Sequence, residues 1–288
     1  MRYGAVMTDT QELAELADRH LPPQTASRWK SLLRPAIQFD WAVGSDRVAA
    51  QLGGDPELPV DHPWPEWDGH GPLTFIAAFD CAELRIEGFP LPDSGRLLFF
   101  YFDGQIDDGT AVVGAFAPGT QAGARVLYVP ADVPVERRPA PAPLKAYPQQ
   151  TLRAEAVTTA PERGSPRLTA VFGGEADREP GHPIDNAAFH DAVYEESSVS
   201  VCHQAGGFPL SIQAAVEHEA AGAAGEVPGS AGRPEYADPD RWLLLAQIDT
   251  DGDSDMMWGD AGMLYWLIQE PDLAAGRFDR VVFTWQCS

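Results

Sequence analysis

The chain has 288 residues and carries 43 Asp and Glu against 20 Lys and Arg, a formal charge of −23. Such a field disfavours nucleic acid and anionic membrane surfaces as partners and favours cations or basic protein patches. A hydrophobic share of 44% excludes a disordered chain, and the length is enough to bury a core without a disulfide or metal staple.

Cys81, Cys202 and Cys287 are widely spaced and form no CxxC, so neither a zinc ribbon nor a thioredoxin-like site is expected. A reduced, cytoplasmic protein is the simplest fit. The opening MRYGAVMTDTQELAEL has no apolar signal core, and no run approaches the ~20 residues of a membrane span.

Residues 8–20 read as a helix, with Thr8 and Gln11 as a capping box and Leu13, Leu16 and Ala17 on one apolar face. Pro22 and Pro23 stop it, a second helix covers 25–33, and a short strand follows at 36–39. QLGGDPELPVDHPWPEWDGHGP is a shaped loop. Residues 73–79, 96–102 and 125–129 are apolar runs of strand length, and 130–148 is too rich in proline to be other than extended or irregular. Residues 151–158 alternate as a half-buried strand does. Turn residues dominate 160–185, and 186–196 reads as a helix with Ala188, Phe189 and Val193 inward. Residues 222–240 read as a mobile surface loop, and strands at 242–248, 263–268 and 281–285 close the chain.

Several landmarks recur in the same order. Gly53-Gly54-Asp55-Pro56 has a counterpart in Gly206-Gly207-Phe208-Pro209, and Ala77-Ala78-Phe79-Asp80 one in Ala246-Gln247-Ile248-Asp249. Gly95-Arg96-Leu97 matches Gly262-Met263-Leu264, and Arg125-Val126-Leu127-Tyr128 matches Arg280-Val281-Val282-Phe283. The expected fold is therefore α+β: two related β-rich halves, an internal duplication about a pseudo-twofold axis, with N-terminal helices. The divisions are 1–35 for those helices, 36–160 for the first half and 161–288 for the second, packed as one globular unit.

The stretches LGGDPELPVDHPWP with PLTFIAAFD, HQAGGFPLSIQ, LLLAQIDTDGDSDMMWGDAGMLYWLI and RFDRVVFTWQCS resemble the YwqG-like family of bacterial proteins, a domain of unknown function. They cover most of residues 35–105 and 200–288. The family usually has Ser-Lys before the first Gly-Gly, where this chain has Ala50 and Gln51, and tends to have Gln at the position of Ala78. The resemblance implies a duplicated α+β protein and supplies no activity.

Asp249, Asp251, Asp253 and Asp255 alternate through one loop, with Asp260 at the twelfth position. An EF-hand uses a similar spacing, but its glycine falls at position six and its last ligand is Glu; here glycine is fourth and no helices flank. Three readings stay open: a solvated acidic turn, a calcium or magnesium loop using Asp249, Asp251, Asp253 and Asp260, and paired-carboxylate catalysis. Trp258 either plugs the end of the core or walls a pocket with Asp260 at its rim. His203 follows Cys202, but neighbours on a strand point to opposite faces and cannot activate one another. Gln213, Gln247 and Gln286 lie in or beside apolar segments, where buried amides satisfy backbone groups or floor a polar pocket. His218-Glu219 lacks the second histidine of HExxH, and neither GxSxG, GxGxxG nor GxxxxGK[ST] occurs.

With no complete catalytic motif, the leading expectation is a non-enzymatic binding or interaction protein that offers its acidic surface to a basic protein partner through residues 249–260. The alternatives are a metal-dependent enzyme with Asp249, Asp251 and Asp260 as ligands and His203 as base, and a small-molecule binder in which Gln247 and Trp258 converge on a cavity.

Overall fold

A computed structural model describes residues 10–197 and 201–288. Thr8, the expected N-cap, lies outside them. The helices are α1 (Thr10–His20), α2 (Pro23–Lys30), α3 (Pro166–Phe172), α4 (Ala187–Ser197), α5 (Val216–Gly222) and α6 (Glu270–Ala274). The strands are β1 (Arg34–Trp41), β2 (Ala50–Leu52), β3 (Glu57–Pro59), β4 (Glu66–Trp67), β5 (Gly71–Pro72), β6 (Thr74–Asp80) and β7 (Arg96–Tyr101). They continue with β8 (Ala124–Val129), β9 (Val135–Arg137), β10 (Gln150–Thr159), β11 (His203–Gly206), β12 (Trp242–Asp249), β13 (Met263–Gln269) and β14 (Val282–Gln286).

Ten strands form one antiparallel sheet in the order β14-β13-β12-β11-β1-β10-β2-β6-β7-β8, and β3-β9 and β4-β5 are small separate ribbons. This corrects the expected α+β pair of related halves. The chain is mostly β, its large sheet is continuous, and no clear internal duplication is evident. At the centre, β1 bonds β10 on one side and β11 on the other, tying distant parts of the sequence into a single layer. The recurring Gly-Gly landmarks are a local solution to ending a strand. The Gln51 amide donates to Gly53 O at 2.7 Å, and the Gln204 amide donates to Gly206 O at 2.9 Å. Similar turn chemistry at two strand ends is what the sequence pattern detected.

Strand β13 is apolar on both faces because both are covered. Leu264, Trp266 and Ile268 enter the core inside the curved sheet, while Met263, Tyr265 and Leu267 pack outward against α5 and its neighbours. The curvature brings the two edges of the sheet together. Phe99 of β7 meets Trp266 of β13 at 5.1 Å between ring centroids, and Tyr101 meets Phe283 of β14 at 4.6 Å. The Gln121 side chain, just before β8, spans the remaining gap. Its amide donates to Phe283 O at 3.0 Å and its oxygen accepts from Phe283 N–H at 2.8 Å. One side chain thus stands in for a strand neighbour and blunts an edge that would otherwise template aggregation.

A third cluster holds the helices. Leu13, Leu16, Ala17 and Trp29 pack with Leu168, Phe172, Phe189 and Val193, so α4 is fixed by the N-terminal helices and α3. Ala188, expected inward, is exposed. Residues 222–240 also depart from expectation: they pack on the sheet. Tyr236 is 1% exposed and donates its hydroxyl to Asp272, whose carboxylate also takes Arg277 Nε at 2.8 Å and Arg280 Nη1 at 3.0 Å. Tyr236, with Ala223, Ala224 and Val227 in the same cluster, anchors a segment whose composition is otherwise that of a loop.

Replacing Gln121 by Leu leaves the Phe283 N–H and carbonyl without this partner. Denaturant unfolding is expected to show a loss of about 1–3 kcal/mol.

Candidate functional site

The site grows from the end of β11. The Gln204 amide donates to Gly206 O and, at 2.8 Å, to Phe208 O, fixing a turn in which Gly206 and Gly207 have φ of 68° and 71°. A Cβ on Gly207 would lie 2.5 Å from Thr159 Oγ1 and 2.7 Å from Ala36 Cβ, so the turn presses on β10 and β1 in a way only glycine allows. Beyond it, buried side chains hold the backbone. Leu210 N–H donates to Gln247 Oε1 at 2.9 Å, and Leu210 O accepts from the Tyr265 hydroxyl at 2.8 Å. Ser211 N–H then donates to Glu162 Oε1 at 2.9 Å.

This segment, the sheet and α4 enclose a cavity of about 330 Å³, with Gln38, Glu162, His190, Cys202, Gln204 and Ser211 among its lining residues. Among the described residues, the hydroxyl oxygens of Ser197 and Ser211 are inaccessible and make no hydrogen bond of good geometry. Burial pushes the Glu162 carboxyl up to about 7, against the opposing pull of Ser211. His190 Nε2 lies 2.7 Å from Ile184 O and so carries the proton, leaving Nδ1 as an acceptor; burial lowers its pKa and keeps the ring neutral. Burial, aided by Asp249, pushes the Cys202 thiol up to about 12, so it stays protonated. Behind the wall, Glu217 of α5 is 6% exposed, its Oε2 has no partner among the described residues, and burial pushes its carboxyl up to about 7 with Glu162 contributing.

The residues singled out in the sequence are distributed differently. His203 and Asp251 are each 2% exposed and meet at 3.2 Å from Nε2 to Oδ2. Asp249 N–H donates to His203 Nδ1 at 3.1 Å, so Nε2 carries the proton and both ring nitrogens are committed. Asp251 Oδ1 accepts from Asp253 N–H at 2.8 Å and Ser254 N–H at 3.1 Å. Burial works against the Asp251 carboxylate, but His203 and these N–H groups outweigh it and hold the pKa below the usual range. The Asp249 carboxylate accepts from Cys202 N–H at 2.8 Å, while burial raises its pKa.

Asp253, Asp255 and Asp260 are exposed. Among the described residues, no group of three or more His, Cys, Asp or Glu side chains is arranged to hold a metal ion. Gln247 binds Leu210 N–H and Cys202 O, and lies behind the cavity wall. Trp258 lies elsewhere, donating its indole N–H to Asp249 O at 3.1 Å and lining a smaller cavity with Tyr101, Asp103 and Trp285. Gln247 and Trp258 therefore do not converge. Gln286 accepts from Ile212 and Gln213 N–H and donates to Ala214 O, the backbone role open to a buried amide.

The reading missed Glu162, Ser197 and Ser211. Glu162 stands in PERGSP, a turn-rich stretch with no periodicity to mark it as buried, and the two serines carry no motif.

The architecture defines a mostly antiparallel β protein with a polar cavity between its sheet and one helix. The chain belongs to the family described as domain of unknown function DUF1963, whose model matches residues 50–287. No curated protein matches it. Among the described residues, no helix is long and apolar enough to cross a membrane.

Glu162 and Glu217 both bind a proton more tightly in the folded protein than at the ordinary glutamate value of about 4.3. Their contribution to stability is therefore full below that value and is lost as pH rises through about 7. Glu217→Gln is expected to match the native chain in thermal stability at pH 4.5 and exceed it at pH 8. Melting curves at the two pH values check this.

Proposed function

We propose that the chain is a non-enzymatic binding protein that takes a small polar organic molecule into the cavity beneath α4. One observation carries the reading: the Glu162 carboxylate lines the cavity, and among the described residues the hydrogen bond it accepts comes from Ser211 N–H alone. Buried polar groups cost free energy unless bonded, so a cavity that gathers several of them is suited to a ligand that supplies the partners. A volume of about 330 Å³ sets the scale at a small metabolite. Cys202 and His203 are poorly placed for covalent chemistry: the Cys202 thiol is protonated, and the His203 nitrogens are occupied.

Within its family we read the chain as YwqG-like, on the stretches quoted above. The free cysteines support a reducing, cytoplasmic setting. A separate contact for a basic protein has support in the exposure of Asp253, Asp255 and Asp260. Calcium or magnesium at that loop has less, because Asp249 and Asp251 direct oxygens to neighbouring N–H groups and His203.

Ala187 lines the cavity and is itself exposed, so Ala187→Trp should fill the space at little cost to folding. Small polar compounds that raise the melting temperature of the native chain are expected to leave this variant unmoved. Hits that stabilise both proteins equally would contradict the assignment.

A further inference from the structure

We infer that the molecule held beneath α4 is a small organic cation whose ammonium group is bound by Glu162. The inference rests on the binding reading above and adds the chemical class of the ligand.

A carboxylate has about four acceptor positions. Among the described residues, the hydrogen bond to Glu162 comes from Ser211 N–H. Oε2 accepts no hydrogen bond of good geometry from them, and the side chain lines the cavity. The carboxylate thus has acceptor positions to spare. The Ser211 hydroxyl is near enough to pull its pKa down but does not outweigh burial. An ammonium group brings three donors and the charge that a desolvated carboxylate most needs.

The surrounding groups favour the same sign. Asp191, on the α4 side, is acidic, and the Glu162 charge adds to burial in raising the pKa of Glu217 in α5. Tyr265 of β13 feels the Glu162 charge and stays a neutral phenol, with burial the larger cause. Cys202 is a protonated thiol, and His190 spends Nε2–H on Ile184 O and stays neutral. The nearest cation on the wall, Arg163, pairs with Glu175 at 2.7 Å. Arg34 lies beyond, stacked over the Phe208 ring at 4.4 Å. Among the described residues no cation pairs with Glu162, while Arg34 eases the charge on Glu217. The chain's charge of −23 adds a long-range pull on cations. An anionic ligand would meet the opposite field.

A matched pair of probes tests this: 4-amino-1-butanol and 1,4-butanediol differ at one end, ammonium against hydroxyl. Titrations followed by the backbone amide NMR signals of Glu162, Arg163, His190 and Ser211 are expected to show the amino alcohol binding at least tenfold more tightly at pH 8. At pH 5, where Glu162 is protonated, the advantage should disappear, and Glu162→Gln should abolish it at pH 8; diol binding should change little in either case. Equal binding of the two at pH 8 overturns the cation assignment and leaves a neutral-ligand site standing. Shifts confined to residues 249–260 overturn it as well, by placing the cation on the acidic loop. If neither probe moves the cavity amides, the binding reading itself fails. The pH comparison in the native chain keeps the test decisive even if the variant does not fold.

Discussion

The two hydrogen bonds that the Gln204 amide makes to Gly206 O and Phe208 O are the constraint on which the site depends. Strand β11 lies in the middle of the sheet, between β1 and β12, where a chain would ordinarily run on. The amide supplies in one side chain the donors that the Gly-Gly turn needs for its carbonyls. The chain then leaves the sheet and folds back over it. Because Leu210 is pinned by Gln247 and Tyr265, Ser211 arrives at Glu162 with little freedom. The cavity is therefore a consequence of where one strand stops.

The same arrangement explains its electrostatics. The Gly-Gly turn and α4 shield the half-buried Glu162 from much of the water with no cation paired to it among the described residues, and its charge raises the pKa of Glu217 in the next layer. By contrast, the acidic loop after β12 relieves its own buried charge. Asp251 is compensated by His203 and two backbone N–H groups, and Asp253, Asp255 and Asp260 turn to solvent. Two acidic regions of one chain thus differ in kind. In one, the buried Asp251 charge is answered within the fold; in the other, burial outweighs the hydrogen bonds to the Glu162 carboxyl.

The strands were legible because period and length determine them. Residues 263–268 could be read as buried on both faces, and they become β13 between two clusters. Residues 8–20 carried their apolar stripe openly, and Leu13, Leu16 and Ala17 are buried in α1. The assembly was less legible. Recurrent turns suggested two halves, yet pairing between β1, β10 and β11 is a long-range matter that no window of sequence encodes. The site was hardest. A run of aspartates draws attention because it is dense, whereas Glu162 matters through what covers it, and burial of an isolated polar residue leaves no periodic trace. Residues 222–240 make the same point, since Tyr236 is held by Asp272 and Trp242, both distant in sequence or on another element.

The account rests on Glu162 being a desolvated carboxyl with an open valence facing a cavity. Titration of its side-chain carboxyl carbon by NMR in the ligand-free protein tests that most directly. The account predicts a midpoint near 7, as the structure gives. A midpoint at the ordinary glutamate value of about 4.3 would contradict it.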